Sequence, residues 1–273
     1  MFRQLTTAAT RVLEVERKFI ASPALLGVLR RADAKARSRT FTDVYFDSRG
    51  DWPLTTQDAW LRLRNSTWEL KLQHSSVSDS PRNAGIDRYL ELTDERDILH
   101  HVSRLLSLFR SYSPYASFGG RTSGLLEKSL LNLPIVDALA AHGVAAFASI
   151  TTTRTRYNLG DGLGVDADEV LFDGGGHYAI AEVEVVVPFE AANGSVLGIT
   201  MSDYEDALQL AEDRIAQFAA THDLPSTPVR GKVLECIARQ DASHYAALGR
   251  AGLLAAKLGA PTESAYSNAS QPS

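Results

Sequence analysis

The chain has 273 residues and is poor in cysteine, in long apolar runs and in net positive charge. Its single cysteine, Cys236, cannot form an intramolecular disulfide, and the first residues are too polar for a secretory signal. We therefore expect a reducing compartment, the cytoplasm. No run of about 18 uncharged apolar residues occurs, which excludes a membrane-spanning helix. The net charge of −5 gives no electrostatic reason to expect a nucleic-acid partner.

Common phosphate and metal motifs are also missing. The three glycines at 174–176 lack the following Lys-Ser/Thr of a phosphate-binding loop and precede a strand-like segment, so they indicate a turn. The seven histidines do not have the spacing of metal ligands. No repeat of about 20–50 residues is present, which excludes solenoids and propellers. With 44% hydrophobic and 22% charged residues, the composition is that of an ordinary globular protein. As a separate expectation, we predict a monomer.

Hydrophobic patterns predict about eight strands with flanking helices. The strands are predicted at 12–20, 40–47, 58–65, 67–73, 88–92, 147–158, 163–170 and 178–188. Helices are predicted after Pro23 and at 94–110, 134–142, 203–220 and 229–240. The connection lengths favour antiparallel pairing, which gives an α+β fold with a large sheet, or a closed barrel. Residues 11–240 would form this domain, and 241–273 a C-terminal helix near 244–258 followed by a disordered tail.

Several predicted strands carry charge on one face and apolar residues on the other. Alternate residues share a face, and the charged faces hold Glu14, Glu16 and Lys18; Trp60, Arg62 and Arg64; Glu69 and Lys71; Asp166 and Asp168; Glu182 and Glu184. Taken singly, each such face is typical of a strand that faces solvent. Like charges two residues apart repel on a solvent face, so the whole set favours another interpretation. A barrel interior lined by both signs would accommodate a metal cation and a polyanion together.

The first of these strands carries a known signature. Its run Glu14-Val15-Glu16-Arg17-Lys18 resembles the ExExK motif of the CYTH superfamily, the triphosphate tunnel metalloenzymes. In order and spacing, further segments resemble the thiamine triphosphatase branch: residues 42–47 (TDVYFD), 60–64 (WLRLR), 68–71 (WELK), the strand ending in Arg154, 165–168 (VDAD), 181–184 (AEVE) and 231–234 (GKVL). This resemblance covers about residues 11–240 and implies an eight-stranded antiparallel tunnel open at both ends. An insertion near 110–131 and the presence of Arg156 depart from the family pattern.

The resemblance also implies a role for each charged set. Five carboxylates match the half of the tunnel that binds a divalent metal, Mg²⁺: Glu14, Glu16, Asp166, Glu182 and Glu184. Six cations match the half that binds the triphosphate: Lys18, Arg62, Arg64, Lys71, Arg154 and Lys232. Trp60 matches an aromatic residue that stacks on the organic part of thiamine triphosphate, and Glu91 is a further metal candidate.

The resemblance therefore implies Mg²⁺-dependent hydrolysis of thiamine triphosphate, with Lys71 as a catalytic residue. The general base stays open between Lys71 with a lowered pKa and a carboxylate acting through metal-bound water. An inorganic tripolyphosphatase would use the same tunnel, and only the pocket for the organic end discriminates. A non-catalytic triphosphate-binding protein is the third interpretation, which the five retained acids oppose. Because residues 241–273 contain no predicted site residue, we expect their removal to leave activity nearly unchanged.

Overall fold

The computed structural model describes residues 12–74, 85–112, 134–188, 191–192, 195–196 and 201–259. Its long strands are β1 (Val12–Ile20), β2 (Arg37–Ser48), β3 (Ala59–Arg64), β4 (Thr67–Gln73), β5 (Ile86–Leu92), β6 (Val144–Asn158), β7 (Leu163–Phe172) and β8 (His177–Pro188). Two short strands, β9 (Ala191–Ala192) and β10 (Ser195–Val196), pair with each other. The helices are α1 (Pro23–Ala32), α2 (Glu95–Tyr112), α3 (Ile135–Ala141), α4 (Met201–Thr221), α5 (Lys232–Gln240), α6 (Ala242–Arg250) and α7 (Leu253–Leu258), with a 3₁₀ turn at Thr55–Gln57.

Two predicted features fall largely outside the described residues. The insertion near 110–131 does so beyond the end of α2, and the tail does so from residue 260. In the part of the chain that is described, no helix combines the length and the apolarity needed to cross a membrane.

The eight long strands close into one antiparallel barrel. Their order around it is β1-β5-β4-β3-β2-β6-β7-β8, and β8 pairs with β1. Hydroxyl pairs between β2 and β6 mark its outer face: Ser38–Thr155 at 2.7 Å, Thr40–Thr153 at 3.0 Å and Thr42–Thr151 at 3.3 Å. Because side chains alternate, Arg37, Arg39 and Asp43 of β2 lie on the inner face. The predicted α+β class and eight-stranded tunnel with flanking helices are confirmed.

Helices cover the outer, apolar face of the barrel. Ile215 of α4 forms one buried cluster with Val15 and Val183 of the strands. On another side, Val102 of α2 forms a cluster with Leu70 of β4. Full burial of such a side chain contributes roughly 1.5–3 kcal/mol relative to its exposure. Since the apolar faces are directed outward against helices, the charged faces are directed inward, and the solvent-facing interpretation is wrong.

One end of the barrel is capped by α5–α7. Ile150 and Val170 lie on inner strand faces, and they form a buried cluster with Cys236 of α5. Trp60 and Leu253 belong to a neighbouring cluster that joins β3 to α7. The family resemblance implied a tunnel that is open at both ends. The structure corrects this expectation, because apolar side chains of the C-terminal helices fill one end of the barrel. The opposite end reaches solvent between exposed residues of β2.

Candidate active site

A cavity of about 750 Å³ occupies the barrel interior. All twelve site residues predicted from the sequence line it: Glu14, Glu16, Lys18, Trp60, Arg62, Arg64, Lys71, Arg154, Asp166, Glu182, Glu184 and Lys232. Six strands and α5 supply them. Among the described residues, ten cations and eight carboxylates line this cavity, although the whole chain has a net charge of −5. The lining thus presents more cations than carboxylates to the cavity, although buried Asp43, Asp58 and Asp168 pair with some of these cations from behind the wall, and such a lining suits a polyanionic ligand.

Arg154 connects the acidic strands β7 and β8. Its Nε and Nη2 donate to the two carboxylate oxygens of Asp168 at 2.6 and 2.7 Å, and Nη2 also donates to Glu182 at 2.9 Å. A further hydrogen bond joins Arg154 to Asp166. Burial raises the pKa of Glu182, but Lys232 and Arg154 outweigh it and hold this pKa well below its usual value. Glu182 is therefore ionised at neutral pH.

Arg62 and Arg64 of β3 are held by two carboxylates. Arg62 Nε donates to Glu69 at 2.6 Å, while Arg64 Nε and Nη2 donate to Asp43 at 2.7 and 3.0 Å. Asp43 is fully buried. Burial raises the pKa of Asp43, but the guanidinium groups of Arg62 and Arg64 lower it by a larger amount, so the net shift is downward. Sequence reasoning missed Asp43, although it lies in the quoted run TDVYFD at an inward position.

Lys71 lies among three carboxylates. Its Nζ donates to Glu14 and lies 3.5 Å from Glu16 and 3.8 Å from Glu91. Burial favours the neutral amine, but the three carboxylates outweigh it and raise the pKa of Lys71 well above its usual value. This direction is opposite to the lowered pKa that a general base at Lys71 would require. As an ammonium ion it can bind a phosphate oxygen, but it cannot accept a proton.

The remaining acidic side chains, Asp166 and Glu184, have raised pKa values. Burial, together with the Asp166 and Glu14 carboxylates, raises the pKa of Glu184 to about 7. Burial also raises the pKa of Asp166, despite the nearby Arg154. Carboxylates that repel one another in this way are stabilised by a divalent cation, and hard oxygen donors are the ligands that Mg²⁺ prefers. The donor chemistry therefore fits Mg²⁺.

The predicted metal ligands face cations of the chain itself. Glu14 pairs with Lys71, and Glu184 pairs with Arg156. Within the described ranges, no three acidic, histidine or cysteine side chains converge as a preformed metal cluster. If several of these carboxylates are to bind one metal ion, they must therefore first leave their lysine and arginine partners.

The two arginines of β6 differ in depth. The Arg154 side chain is 9% exposed, whereas the Arg156 side chain is 35% exposed and lies nearer the open end, 3.1 Å from Asp166. Arg37 and Arg39 of β2 line the same end and are exposed. Of these two arginines, Arg154 is thus the one that lies deep in the cavity with the other buried cations.

Trp60 belongs both to the cavity wall and to a hydrophobic cluster. It lines the cavity but is 8% exposed, and it packs in a cluster with Leu234 and Leu248. Its indole Nε1 donates to Asp58 at 2.7 Å, and the Tyr89 hydroxyl donates to the same carboxylate oxygen at 2.9 Å. Neither Asp58 nor Tyr89 was predicted from the sequence, because neither lies in a recognised motif.

Lys18 of the ExExK run forms hydrogen bonds with two acidic side chains. Its Nζ donates to Glu16 at 2.6 Å and to Asp87 at 2.7 Å. Asp87 also accepts from Lys257 of α7 at 2.7 Å. Burial raises the pKa of Asp87, but Lys18 and Lys257 outweigh it and lower this pKa to about 2. The expectation that residues 241–273 supply no group to the site is thus corrected, since Lys257 lines the cavity.

The profile of the CYTH domain matches residues 13–219, so the chain belongs to the CYTH domain family. A comparison with curated proteins finds no match. Similar solved structures include a protein from Pyrococcus horikoshii, at 13% identity and a TM-score of 0.49, over 83% of this chain and 99% of the other. A putative adenylate cyclase from Bacillus halodurans matches at 16% identity and 0.44, over 85% and 100%. A putative adenylyl cyclase from Hippeastrum, described as having a dominant triphosphatase activity, matches at 16% and 0.41, over 84% and 96%.

Family membership defines the general class of chemistry. CYTH proteins are triphosphatases or cyclases, and they depend in general on a metal ion. Their tunnel binds small-molecule triphosphates. The barrel that encloses the cavity described above lies almost entirely within the matched residues 13–219.

Proposed function

We propose that the protein hydrolyses thiamine triphosphate to thiamine diphosphate and phosphate in the presence of Mg²⁺. The observation that carries the proposal is the cavity, in which arginines and lysines face carboxylates around a space that can hold a triphosphate. In the reaction, a water oxygen forms a bond to the terminal phosphorus as the bridging P–O bond breaks. The electron pair of that bond leaves with the diphosphate. One proton of the water passes to a carboxylate and from there to solvent, and the other stays on the phosphate.

The cations position the phosphate chain. Arg62, Arg64 and Arg154 have forked guanidinium groups that bind phosphate oxygens in pairs, while Lys71 and Lys232 supply compact charges. Phosphoryl transfer depends on such positioning and on neutralisation of charge more than on covalent chemistry. The same cations stabilise the negative charge that develops on the leaving diphosphate.

The proton acceptor is a carboxylate in this proposal, because Lys71 is held as an ammonium ion. Burial and the neighbouring acids raise the pKa of Glu184 to about 7. A group with a pKa near the working pH is well suited to general base catalysis. Glu184 is also one of the residues that would hold Mg²⁺, and a bound cation would lower this pKa, so we assign the step to a carboxylate of the acidic wall acting through water rather than to Glu184 alone.

Glu14, Glu16, Asp166, Glu182 and Glu184 are the residues that would hold Mg²⁺. When bound, Mg²⁺ neutralises phosphate charge and polarises the terminal phosphorus. The arginines and lysines of the opposite wall orient the phosphate chain of the substrate toward these carboxylates.

The aromatic residues at the capped end favour an organic substrate. Trp60 and Tyr89 line the cavity there, and aromatic faces attract a cationic ring such as that of thiamine. Inorganic tripolyphosphate is the second candidate, because Trp60 is only 8% exposed and the cation Lys257 pairs with Asp58, the carboxylate that also binds the Trp60 indole. Both substrates would use the same phosphate-binding side chains.

Phosphate release from the pure full-length protein tests the proposal. Thiamine triphosphate, tripolyphosphate and ATP should be compared at equal concentration with Mg²⁺, and thiamine triphosphate should give the highest kcat/KM. Tight binding without phosphate release from any of them would instead indicate a non-catalytic triphosphate-binding protein. We also infer that the protein acts as a monomer in the cytoplasm, which gel filtration and cell fractionation would test.

A further inference from the structure

A cluster at the capped end has the composition of a binding site for an organic cation. Trp60 and Tyr89 contribute aromatic rings, and Asp58 and Asp87 contribute carboxylates. Lys257 of α7 lies at the centre of this capped-end cluster. Its Nζ lies 2.8 Å from Asp58, 2.7 Å from Asp87 and 4.6 Å from the centre of the Tyr89 ring.

The ammonium group of Lys257 is enclosed by these neighbours. Its side chain is 12% exposed, and that of Asp58 is 7% exposed. The Tyr89 hydroxyl lies 2.7 Å from Lys257 Nζ. Without Lys257, Asp58 would keep the neutral donors Trp60 and Tyr89 among the described residues, while Asp87 would keep Lys18. Two carboxylates and an aromatic face around one point are the features that recognise quaternary and ring cations.

We propose that Lys257 is a specificity-determining residue, because its ammonium group occupies the position that a cationic end group of a triphosphate substrate would take. This inference rests on the proposed function. Tripolyphosphate has no end group and does not require the position, whereas the cationic ring of thiamine triphosphate competes with Lys257 for it. The helix that carries Lys257 lies beyond residues 13–219, which match the CYTH domain. Selectivity would thus depend on a segment outside the family domain.

Helix α6 is anchored independently of Lys257. His244 Nε2 lies 2.8 Å from Thr55 Oγ1, and its ring stacks on Trp52 with centres 3.8 Å apart. Leu248 is fully buried, whereas Lys257 lies on the next helix, after Gly252 with φ of 79°. The left-handed φ of Gly252 separates the two helices. A substitution at 257 should therefore alter the capped-end cluster while α6 stays in place.

Kinetics with a pair of substrates test the proposal. Lys257→Met and Lys257→Gln remove the charge, Lys257→Arg keeps it, and Arg250→Met removes an exposed charge of α6 as a matched control. The measured quantity is kcat/KM for thiamine triphosphate divided by kcat/KM for tripolyphosphate, with Mg²⁺. We expect this ratio to rise about tenfold in the Met and Gln variants, the effect of one desolvated cation–π contact. It should stay at the wild-type value in the Arg variant and in the control.

Binding of unreactive ligands separates this inference from the proposed function. Titration calorimetry compares thiamine diphosphate with inorganic diphosphate, which lacks the cationic ring, and the same shift in preference is expected in both charge-removing variants. If no variant hydrolyses either triphosphate but the binding preference shifts, the proposed function fails and the role of Lys257 stands. An unchanged or reduced preference for the thiamine ligands in both variants, with melting temperatures near that of the wild type, would overturn the role of Lys257.

Discussion

Replacement of Glu182 by glutamine separates a role in metal binding from a role in folding. In the tunnel, Glu182 accepts from Arg154 Nη2 at 2.9 Å and lies 4.0 Å from Lys232 Nζ. Glutamine keeps the shape and one acceptor oxygen but removes the negative charge. Arg154 retains Asp166 and Asp168, so no cation is left without a carboxylate.

The stability cost should therefore be modest. Removal of one partner from a buried ion pair costs about 3–5 kcal/mol when the other charge is left alone. Here the remaining carboxylates reduce the loss to about 1–2 kcal/mol, the range for a weakened hydrogen bond to a charged group. Loss of a carboxylate that would hold Mg²⁺ should still lower kcat about a hundredfold or more, because the metal neutralises phosphate charge in the transition state.

The assay is phosphate release as a function of Mg²⁺ concentration, with urea unfolding measured in parallel. Glu235→Gln is the matched control, because Glu235 accepts from Arg239 at 2.7 Å on α5 and does not line the cavity. Glu235 also accepts from Arg230 at 3.1 Å, and both arginines are well exposed, so its replacement should cost only about 1 kcal/mol and the control should keep its activity. If Glu182→Gln keeps wild-type kcat and Mg²⁺ dependence, the assignment of the acidic wall to metal binding is refuted.

Three further outcomes are expected. EDTA should abolish phosphate release and added Mg²⁺ should restore it, whereas full activity in EDTA would contradict the metal requirement. Trp60→Ala should lower the unfolding free energy by roughly 3–5 kcal/mol, because the indole is packed. It should also raise KM for thiamine triphosphate more than for tripolyphosphate, and equal changes would remove the organic-end argument. Burial lowers the pKa of His244 to about 4, so between pH 6.5 and 4 the unfolded chain binds a proton that the folded protein does not. As the pH falls through this window, the wild type should lose up to about 3 kcal/mol of unfolding free energy relative to His244→Gln, and parallel pH profiles would contradict this.

The inward direction of the charged faces was predictable from the sequence. The period of two in β1 and β8 separates Glu14 and Glu182 from apolar neighbours such as Val15 and Val183, and the barrel follows that division. Similar alternation in β3 placed Arg62 correctly. These predictions succeeded because each depends on a single strand and its two faces.

Contacts that depend on how elements meet were not predictable. Asp87 becomes part of the site because β5 pairs with β1 in a register that places it across from Glu16. Lys257 reaches the cavity because α7 docks on the capped end; the sequence predicted a helix near 244–258, but not that one of its side chains would enter the site. The high pKa of Lys71 has the same origin, since it results from carboxylates on β1 and β5.

The two halves of the tunnel neutralise each other, which couples the binding of metal and triphosphate. Lys71 is held by Glu14, and Arg154 is held by Asp166 and Glu182. A triphosphate that binds the cations leaves these carboxylates with uncompensated negative charge, and this raises their affinity for Mg²⁺. Linkage requires Mg²⁺ to raise the affinity for the anion by the same factor, typically about 5–150-fold. Titration of diphosphate with and without Mg²⁺ measures this factor, with Glu182→Gln as the reference for metal–diphosphate complexes formed in solution. Equal factors in the two proteins would mean that the acidic and basic walls act independently, and the exchange of ion-pair partners would then have no part in assembling the site.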